Sequence, residues 1–212
     1  LRSLYAFETN ADPEGAIVCA RRALAATPRA WYYVRSLAWV YLAARLQATG
    51  QLEQAYAALA GGDPEDTAPS GVVYARVAGS RCFVEWRAGV LPAVAQGAAH
   101  LRAVSEPHHR HESLGWAHYL LSCVAYERND LPVADAHAQA LEELRYLSRP
   151  LAYLQSAFVH ALIHQARGKP DQARQALHQA LAFLRETRSE GLVPLAQAFE
   201  AGWLVAEGDR IR

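Results

Sequence analysis

The sequence predicts an all-α protein, a right-handed superhelix (solenoid) built from antiparallel helix hairpins. The first observation is a turn residue, Gly or Asn, that recurs with a period of about 39–40 residues after stretches of helix-forming sequence. Gly and Asn tolerate the left-handed backbone conformation in which many helices end. A fixed period of this length is typical of repeat proteins in which each hairpin packs on the next. The turn residues are Asn10, Gly50, Gly89, Asn129, Gly168 and Gly208.

The second observation is a small residue seven positions before every turn. Two antiparallel helices approach closely only where the side chains at their crossing are small. Five positions before the turn most residues are bulky and apolar, as the buried face of a helix requires. The small residues are Ser3, Ala43, Cys82, Ser122, Ala161 and Ala201; the bulkier set is Tyr5, Arg45, Val84, Val124, Ile163 and Trp203.

These registers predict the helices in order, a first helix before each turn and a second helix after it. Four second helices carry a proline in their first turn, where the missing N–H costs no hydrogen bond. Asp12 and Asp130 suit the caps of two of them. We expect one helical-repeat domain over residues 1–212, with about five hairpins and a partial one. The predicted pairs are 1–8 with 12–27, 30–48 with 51–60, 70–87 with 90–104, 112–127 with 131–147 and 150–166 with 170–188, followed by a first helix at 194–207.

Composition narrows the function classes. The formal net charge of the 212 residues is zero, so the chain lacks the basic footprint expected of a nucleic-acid-binding protein. The three cysteines have no paired spacing and are expected to be free thiols in a reducing compartment. No stretch approaches the roughly 20 apolar residues of a membrane span, and no signal peptide is evident. We expect a cytoplasmic protein with no membrane contact. Because the chain has no Met and the repeat reaches both ends, we expect a fragment of a longer chain.

The hairpin pattern resembles the tetratricopeptide repeat (TPR). Gly50–Tyr56 and Gly168–Arg174 resemble its inter-helix turn followed by an alanine. The period exceeds the roughly 34 residues that are usual for that repeat. In this departure the chain is similar to the helical-repeat segment of MalT-like, LuxR-type transcriptional regulators. Gly115–Leu131, and within it Tyr126–Leu131, carries that resemblance. It implies a sensor domain set between an NTPase and a DNA-binding helix-turn-helix. Neither of those parts is expected here, because the sequence has no GxxxxGK[ST] phosphate loop and no basic recognition helix.

By analogy with other TPR arrays, the first helix of each pair lines a concave groove. Its inward positions lie 13, 10, 6 and 3 residues before the turn, and in the central repeats these positions are rich in aromatic residues. Aromatic faces with a few polar groups suit a sugar, a small organic inducer or a peptide. The alternative is that the aromatic residues are ordinary interhelical core. The predicted ligand- or partner-binding residues are Arg76, Phe83, Trp86, Trp116, Tyr119, Tyr126, Gln155, Phe158 and Gln165.

The sequence offers no catalytic centre, and we expect a protein that is not an enzyme and that has no cofactor. There is no GxSxG motif, no Cys–His signature and no distinctive acid pair. Histidines cluster at 108–111, and His160 and His164 are spaced i, i+4. Neither set has companion ligands at a recognised spacing, so no metal site is predicted.

The function predicted first is an inducer-sensing and protein-interaction domain of a bacterial transcriptional regulator. The alternative is a TPR scaffold that binds a peptide or a partner domain in its groove. A HEAT-like structural solenoid also fits the period, although the small residues at the helix crossings favour a TPR-like repeat. The expected partners are therefore a small-molecule inducer or a peptide or protein, with no direct binding to nucleic acid. Self-association through the open ends of the solenoid is a further expectation.

Overall fold

The computed structural model describes residues 12–61 and 71–206. Ten α-helices and no strands are found within these ranges, as the sequence predicts. Short 3₁₀ helices at Glu106–His108 and Glu190–Leu192 follow two of the helices. The α-helices are α1 (Pro13–Ala26), α2 (Tyr32–Ala48), α3 (Leu52–Ala60), α4 (Val72–Arg87), α5 (Leu91–Ser105), α6 (His111–Glu127), α7 (Leu131–Glu143), α8 (Pro150–Ala166), α9 (Pro170–Glu186) and α10 (Val193–Ala206).

The four predicted turns within the described ranges have the expected left-handed backbone. Their φ angles are 79° at Gly50, 75° at Gly89, 57° at Asn129 and 69° at Gly168. Each closes its helix with the same pair of backbone hydrogen bonds. At the first turn the N–H of Gly50 donates to the Gln47 carbonyl and that of Gln51 donates to the Leu46 carbonyl. This pairing is the Schellman motif, which satisfies carbonyls that the end of a helix leaves open.

The helix starts follow the capping residues that the sequence offers. The Asp12 carboxylate accepts a hydrogen bond from the Gly15 N–H at 2.8 Å, and that of Asp130 accepts from the Val133 N–H at 3.3 Å. Predicted helix bounds agree with the structure to within two residues, with one exception. α7 ends at Glu143 and not at 147, because tighter i→i−3 bonds such as that from the Leu144 N–H to the Leu141 carbonyl replace the α-helical pattern. The predicted helix at 1–8 and the turns at 10 and 208 lie outside the described residues.

Small residues do occupy the helix crossings. Ala43, Cys82, Ser122 and Ala161 are buried, and the Ser122 hydroxyl donates to the Ala134 carbonyl at 2.7 Å. That bond joins α6 to α7 inside one hairpin. Arg45 is a charged residue at a predicted apolar position, and it is buried too.

By contacts the chain divides into two compact units, the N-terminal unit at 1–113 and the C-terminal unit at 114–212. The core of the N-terminal unit is mainly aliphatic and includes Ile17, Leu42, Leu46 and Leu59. The single-domain prediction is not tested by this division and stays a prediction. No helix in the described parts of the chain is both long and apolar enough to cross a bilayer.

The C-terminal unit has a core in which aromatic residues join the aliphatic ones. Tyr153 and Phe183 meet edge to face with ring centroids 4.5 Å apart, beside the fully buried Leu154. A second cluster places Trp203 against Ala161, Ala173 and Leu177. Helices α8, α9 and α10 therefore share one packed interior within this unit.

Candidate functional site

The nine predicted groove residues share one property in the structure: every one of their side chains is half-buried. They are neither core residues nor freely exposed ones. The predicted register therefore selects side chains that rest on neighbouring helices and keep some surface open. Three of them belong to the N-terminal unit and six to the C-terminal unit.

In the N-terminal unit the predicted face is formed by α4 beside α2. The Arg76 guanidinium lies over the Tyr33 ring at 4.5 Å and donates to the Ser36 hydroxyl at 3.1 Å. Farther along, the Gln47 amide donates to the Val84 carbonyl at 2.8 Å. The two first helices thus lie side by side, and polar contacts hold their side chains. Phe83 and Trp86 follow Arg76 by seven and ten residues, on the same helical face of α4.

Sequence reasoning missed the aromatic start of α2. Trp31 is 60% exposed and Tyr33 is 57% exposed, although both are large aromatic residues. The Trp-Tyr-Tyr run at 31–33, which begins three residues after the linker proline Pro28, was the available sign. Trp, Tyr and Arg are the residues that carry most binding energy in protein interfaces.

In the C-terminal unit the predicted residues form ordered contacts among α6, α8 and α10. The Trp116 and Tyr119 rings meet edge to face at 6.2 Å. Phe158 stacks on Phe199, with centroids 4.1 Å apart and planes within 4°. These rings are preorganised, because their neighbours restrict their rotation.

Two amides complete this face. The Trp203 indole N–H donates to the Gln165 Oε1 at 2.6 Å, so that this side chain is fixed. The Gln155 Oε1 is buried and finds no hydrogen-bond partner among the described residues. A buried acceptor without a partner is costly and calls for an explanation. Tyr126 lies on α6, half-buried, three residues before the turn at Asn129.

Burial disfavours the reactive form of two of the three cysteines. Burial raises the pKa of the Cys82 thiol to about 12 and that of the Cys123 thiol to about 12. The thiolate, which is the reactive form, is therefore disfavoured at neutral pH. This agrees with their predicted role as small buried residues at or beside helix crossings.

The histidines named in the sequence analysis are not gathered into a metal centre. The described part of the chain holds no group of three or more His, Cys, Asp or Glu placed to hold a metal ion. His160 contacts Asp135, with Nε2 and Oδ1 3.3 Å apart, and Arg167 donates to the other oxygen of Asp135 at 2.8 Å. Burial lowers the pKa of both His160 and His164. Burial would raise the pKa of Asp135, but the hydrogen bond and charge of Arg167 lower it overall.

A cavity of about 430 Å³ lies within the N-terminal unit, between α4 and α5. None of the nine predicted groove residues lines it. Several of its lining residues are small, and a Cβ on Gly97 would lie 2.6 Å from the Cys82 Sγ. Burial raises the pKa of Glu85 in its wall. The lining residues are Tyr74, Val77, Ala78, Arg81, Cys82, Glu85, Ala93, Gln96, Gly97 and His100.

Comparisons with known proteins identify the fold. No protein-family model matches the chain. No curated protein matches it either. Among solved structures, it is similar to a Podosopora anserina protein assigned as a kinesin light chain, with nearly identical TPR-like repeats. The TM-score is 0.58 at 17% identity, over 86% of this chain and 92% of the other. A single-substitution variant of that protein gives a TM-score of 0.59 at 16% identity, over 87% and 92%.

These likenesses show the fold and nothing finer. They confirm the predicted fold, an α solenoid of TPR-like hairpins. The resemblance to MalT-like regulators receives no support from them and stays a prediction.

Proposed function

We propose that this chain is a non-catalytic protein-interaction scaffold, and that the first-helix face of its C-terminal unit binds an extended peptide segment of a partner. The observation that carries this proposal is the half-burial of all six predicted residues on that face, within a TPR-like fold. Rigid aromatic rings offer large contact area with little conformational entropy to lose on binding.

The side-chain amides of Gln155 and Gln165, on the same face, fix the orientation of the bound peptide. Turning the Gln155 side chain toward the face lets its Oε1, which otherwise lacks a partner, accept a hydrogen bond from a peptide N–H. Gln165, fixed by Trp203, presents its remaining polar atom in a constant position. Trp116 and Tyr119 contact apolar side chains of the peptide, and Tyr126 marks the end of the face nearest the turn.

The test is selection from a random peptide library, followed by fluorescence anisotropy with the selected peptide. We expect Tyr126→Ala and Trp116→Ala each to weaken binding about tenfold or more, the size of effect typical of aromatic interface anchors. Tyr146→Ala is the matched control, because Tyr146 is an exposed tyrosine that follows α7, a second helix. Circular dichroism checks that each variant is folded. Equal affinity in all variants, or no selected peptide, would overturn the proposal.

A second candidate function follows from the cavity in the N-terminal unit. Its volume of about 430 Å³ lies in the range of small-molecule sites, so an inducer of a MalT-like regulator would have room there. Ala93→Leu should fill part of this space. If a small molecule raises the melting temperature of the native protein but not that of Ala93→Leu, sensing becomes the better account. If the peptide binds and no small molecule does, the scaffold proposal stands alone.

A further inference from the structure

One pair of histidines outside both candidate sites brings its nitrogens into direct contact. His118 lies on α6 and His137 on α7, 19 residues apart in sequence. Their two Nδ1 atoms are 3.1 Å apart, and the ring centroids are 5.3 Å apart. Both side chains are half-buried. A short distance between two like nitrogens requires one of them to carry the proton and the other to accept it.

The other histidine groups do not share this geometry. The His160 and His164 rings stack at 5.9 Å, and the Nε2 of His160 is directed to Asp135. The His109 and His111 rings lie 6.2 Å apart. Among these described groups, the His118–His137 pair is the one that shows a nitrogen–nitrogen contact. The sequence carried no sign of it, since so wide a separation along the chain is not a ligand motif.

We infer that His118 and His137 form a two-histidine binding site for a divalent late first-row metal cation, Zn²⁺, Ni²⁺ or Cu²⁺. Imidazole nitrogen is a preferred ligand of these ions. With metal–nitrogen distances of about 2.05 Å, a nitrogen separation of 3.1 Å corresponds to an angle of about 98° at the metal. That value lies between the right angle of adjacent square-planar ligands and the wider angle of a tetrahedron.

The metal takes the place of the shared proton. Each ring then adopts the tautomer with its proton on Nε2, so that both Nδ1 lone pairs can coordinate. In the ring that carried its proton on Nδ1, the proton moves to Nε2, and no proton is released from the protein. A small rotation of the two rings directs the lone pairs to a common point beside the line that joins the nitrogens.

Water completes the coordination. The described residues offer no group of three or more ligand side chains, and Asp135, two residues before His137, is already bound to Arg167 and His160. The site is thus a chelate of two imidazoles that bridges α6 and α7 within one hairpin. Because the ion binds the folded pair and not the separated rings of the unfolded chain, it raises the stability of the C-terminal unit.

The experiment uses the untagged chain, treated with EDTA, desalted and titrated calorimetrically with Zn²⁺ and with Cu²⁺ in a buffer that does not chelate metals. We expect binding of one equivalent and a rise in melting temperature. His118→Gln and His137→Gln should each lower the affinity at least tenfold and abolish that rise. His178→Gln, which removes an exposed histidine from α9, is the matched control and should bind as the native chain does. Mg²⁺, which prefers oxygen ligands, should have no effect.

A second readout does not depend on the variants. Electron paramagnetic resonance of the Cu²⁺-loaded native chain should show hyperfine coupling to two imidazole nitrogens, and to one in His137→Gln. Binding that does not saturate at one equivalent would overturn the inference. So would native affinity in folded His137→Gln, or a spectrum without coupling to two nitrogens.

Discussion

The two units are built on the same repeat but are filled differently. In the N-terminal unit α4 and α5 approach through Cys82 and Gly97, and the small side chains there leave a cavity. In the C-terminal unit the equivalent positions of the repeat hold Ser122, whose hydroxyl donates to the Ala134 carbonyl across the hairpin, and His137, whose ring contacts His118. The turn and the small crossing residue are common to both. The repeat therefore fixes where helices cross, whereas the residues around the crossing decide whether space remains.

Polar links mark a second difference. The C-terminal unit joins α8 to α7 through the Asp135, His160 and Arg167 group, and α6 to α7 through the two histidines. In the N-terminal unit α4 and α5 are joined by an exposed hydrogen bond between the Tyr74 hydroxyl and the His100 Nε2, which lie 2.8 Å apart. Half-buried groups with a shifted pKa respond to pH. In the C-terminal unit these include His160, His164 and Asp135, whereas in the N-terminal unit Glu85 is such a group.

The largest effects are expected from truncating the core of either unit. Leu46 is 1% exposed in the N-terminal unit and Leu154 is fully buried in the C-terminal unit. Leu46→Ala and Leu154→Ala should each lower the free energy of unfolding by about 2–5 kcal/mol, since each removes buried methyl groups and leaves a cavity. Urea unfolding measures the loss, and hydrogen exchange locates it.

The control for this pair is Leu147→Ala, because Leu147 is 56% exposed. It should change stability by no more than about 0.5 kcal/mol. Hydrogen exchange that increases equally in both units after either core substitution would contradict the division into two compact units.

The turns and helix ends that both units share could be predicted from the sequence because they depend on local chemistry. A left-handed turn selects Gly or Asn by itself, so Gly89 and Asn129 revealed both the period and the helix ends. Two further left-handed residues, His109 with φ of 50° and Arg188 with φ of 53°, could not be foreseen. Arginine has no preference for that conformation and histidine only a modest one. Both residues close a helix end with the same pair of backbone hydrogen bonds as the Gly and Asn turns.

The candidate site was predictable only in part, for a similar reason. Helical register predicts Phe158 and Gln165 on one face, and in the structure both are half-buried. Their partners Phe199 and Trp203 come from the next first helix, and the register gave no distance between them. The contact of His118 with His137 depends on how α6 and α7 rotate against each other, which no local pattern encodes.

An intermediate effect is expected at the tight crossing in the N-terminal unit. In Gly97→Ala the new Cβ meets the Cys82 Sγ at 2.6 Å. Overpacking of this kind costs about 1–3 kcal/mol, offset by the roughly 1 kcal/mol that Ala gains over Gly inside a helix. The net loss of stability should be at most about 2 kcal/mol. Thermal unfolding of the variant against the native chain measures it.

A double substitution tests the cause of that loss. Cys82→Ala removes the sulfur, so the Cys82→Ala/Gly97→Ala pair should be more stable than the sum of the two single changes predicts. Gly202→Ala on α10 is the matched control, because a Cβ there meets nothing within 4 Å. It should be neutral or slightly stabilising. Strict additivity at 82 and 97 would show that the crossing has room to spare.

The smallest effect is the pH response of the C-terminal unit. Burial lowers the pKa of His160 in the folded chain, so folding favours its neutral form. The resulting stability is fully present above the ordinary histidine pKa of about 6.5, and it is lost as the pH falls through the lowered value. The lowered pKa of Asp135 acts in the same direction, but only below the ordinary aspartate value of about 3.9. Between pH 7.5 and 5 the unfolding free energy should therefore fall through His160 and through His164, whose pKa burial also lowers. Asp135 partly offsets this loss because it attracts the protonated His160 ring. His160→Gln should make this profile shallower, and His178→Gln should leave it unchanged. A profile as steep in His160→Gln as in the native chain would show that another group titrates.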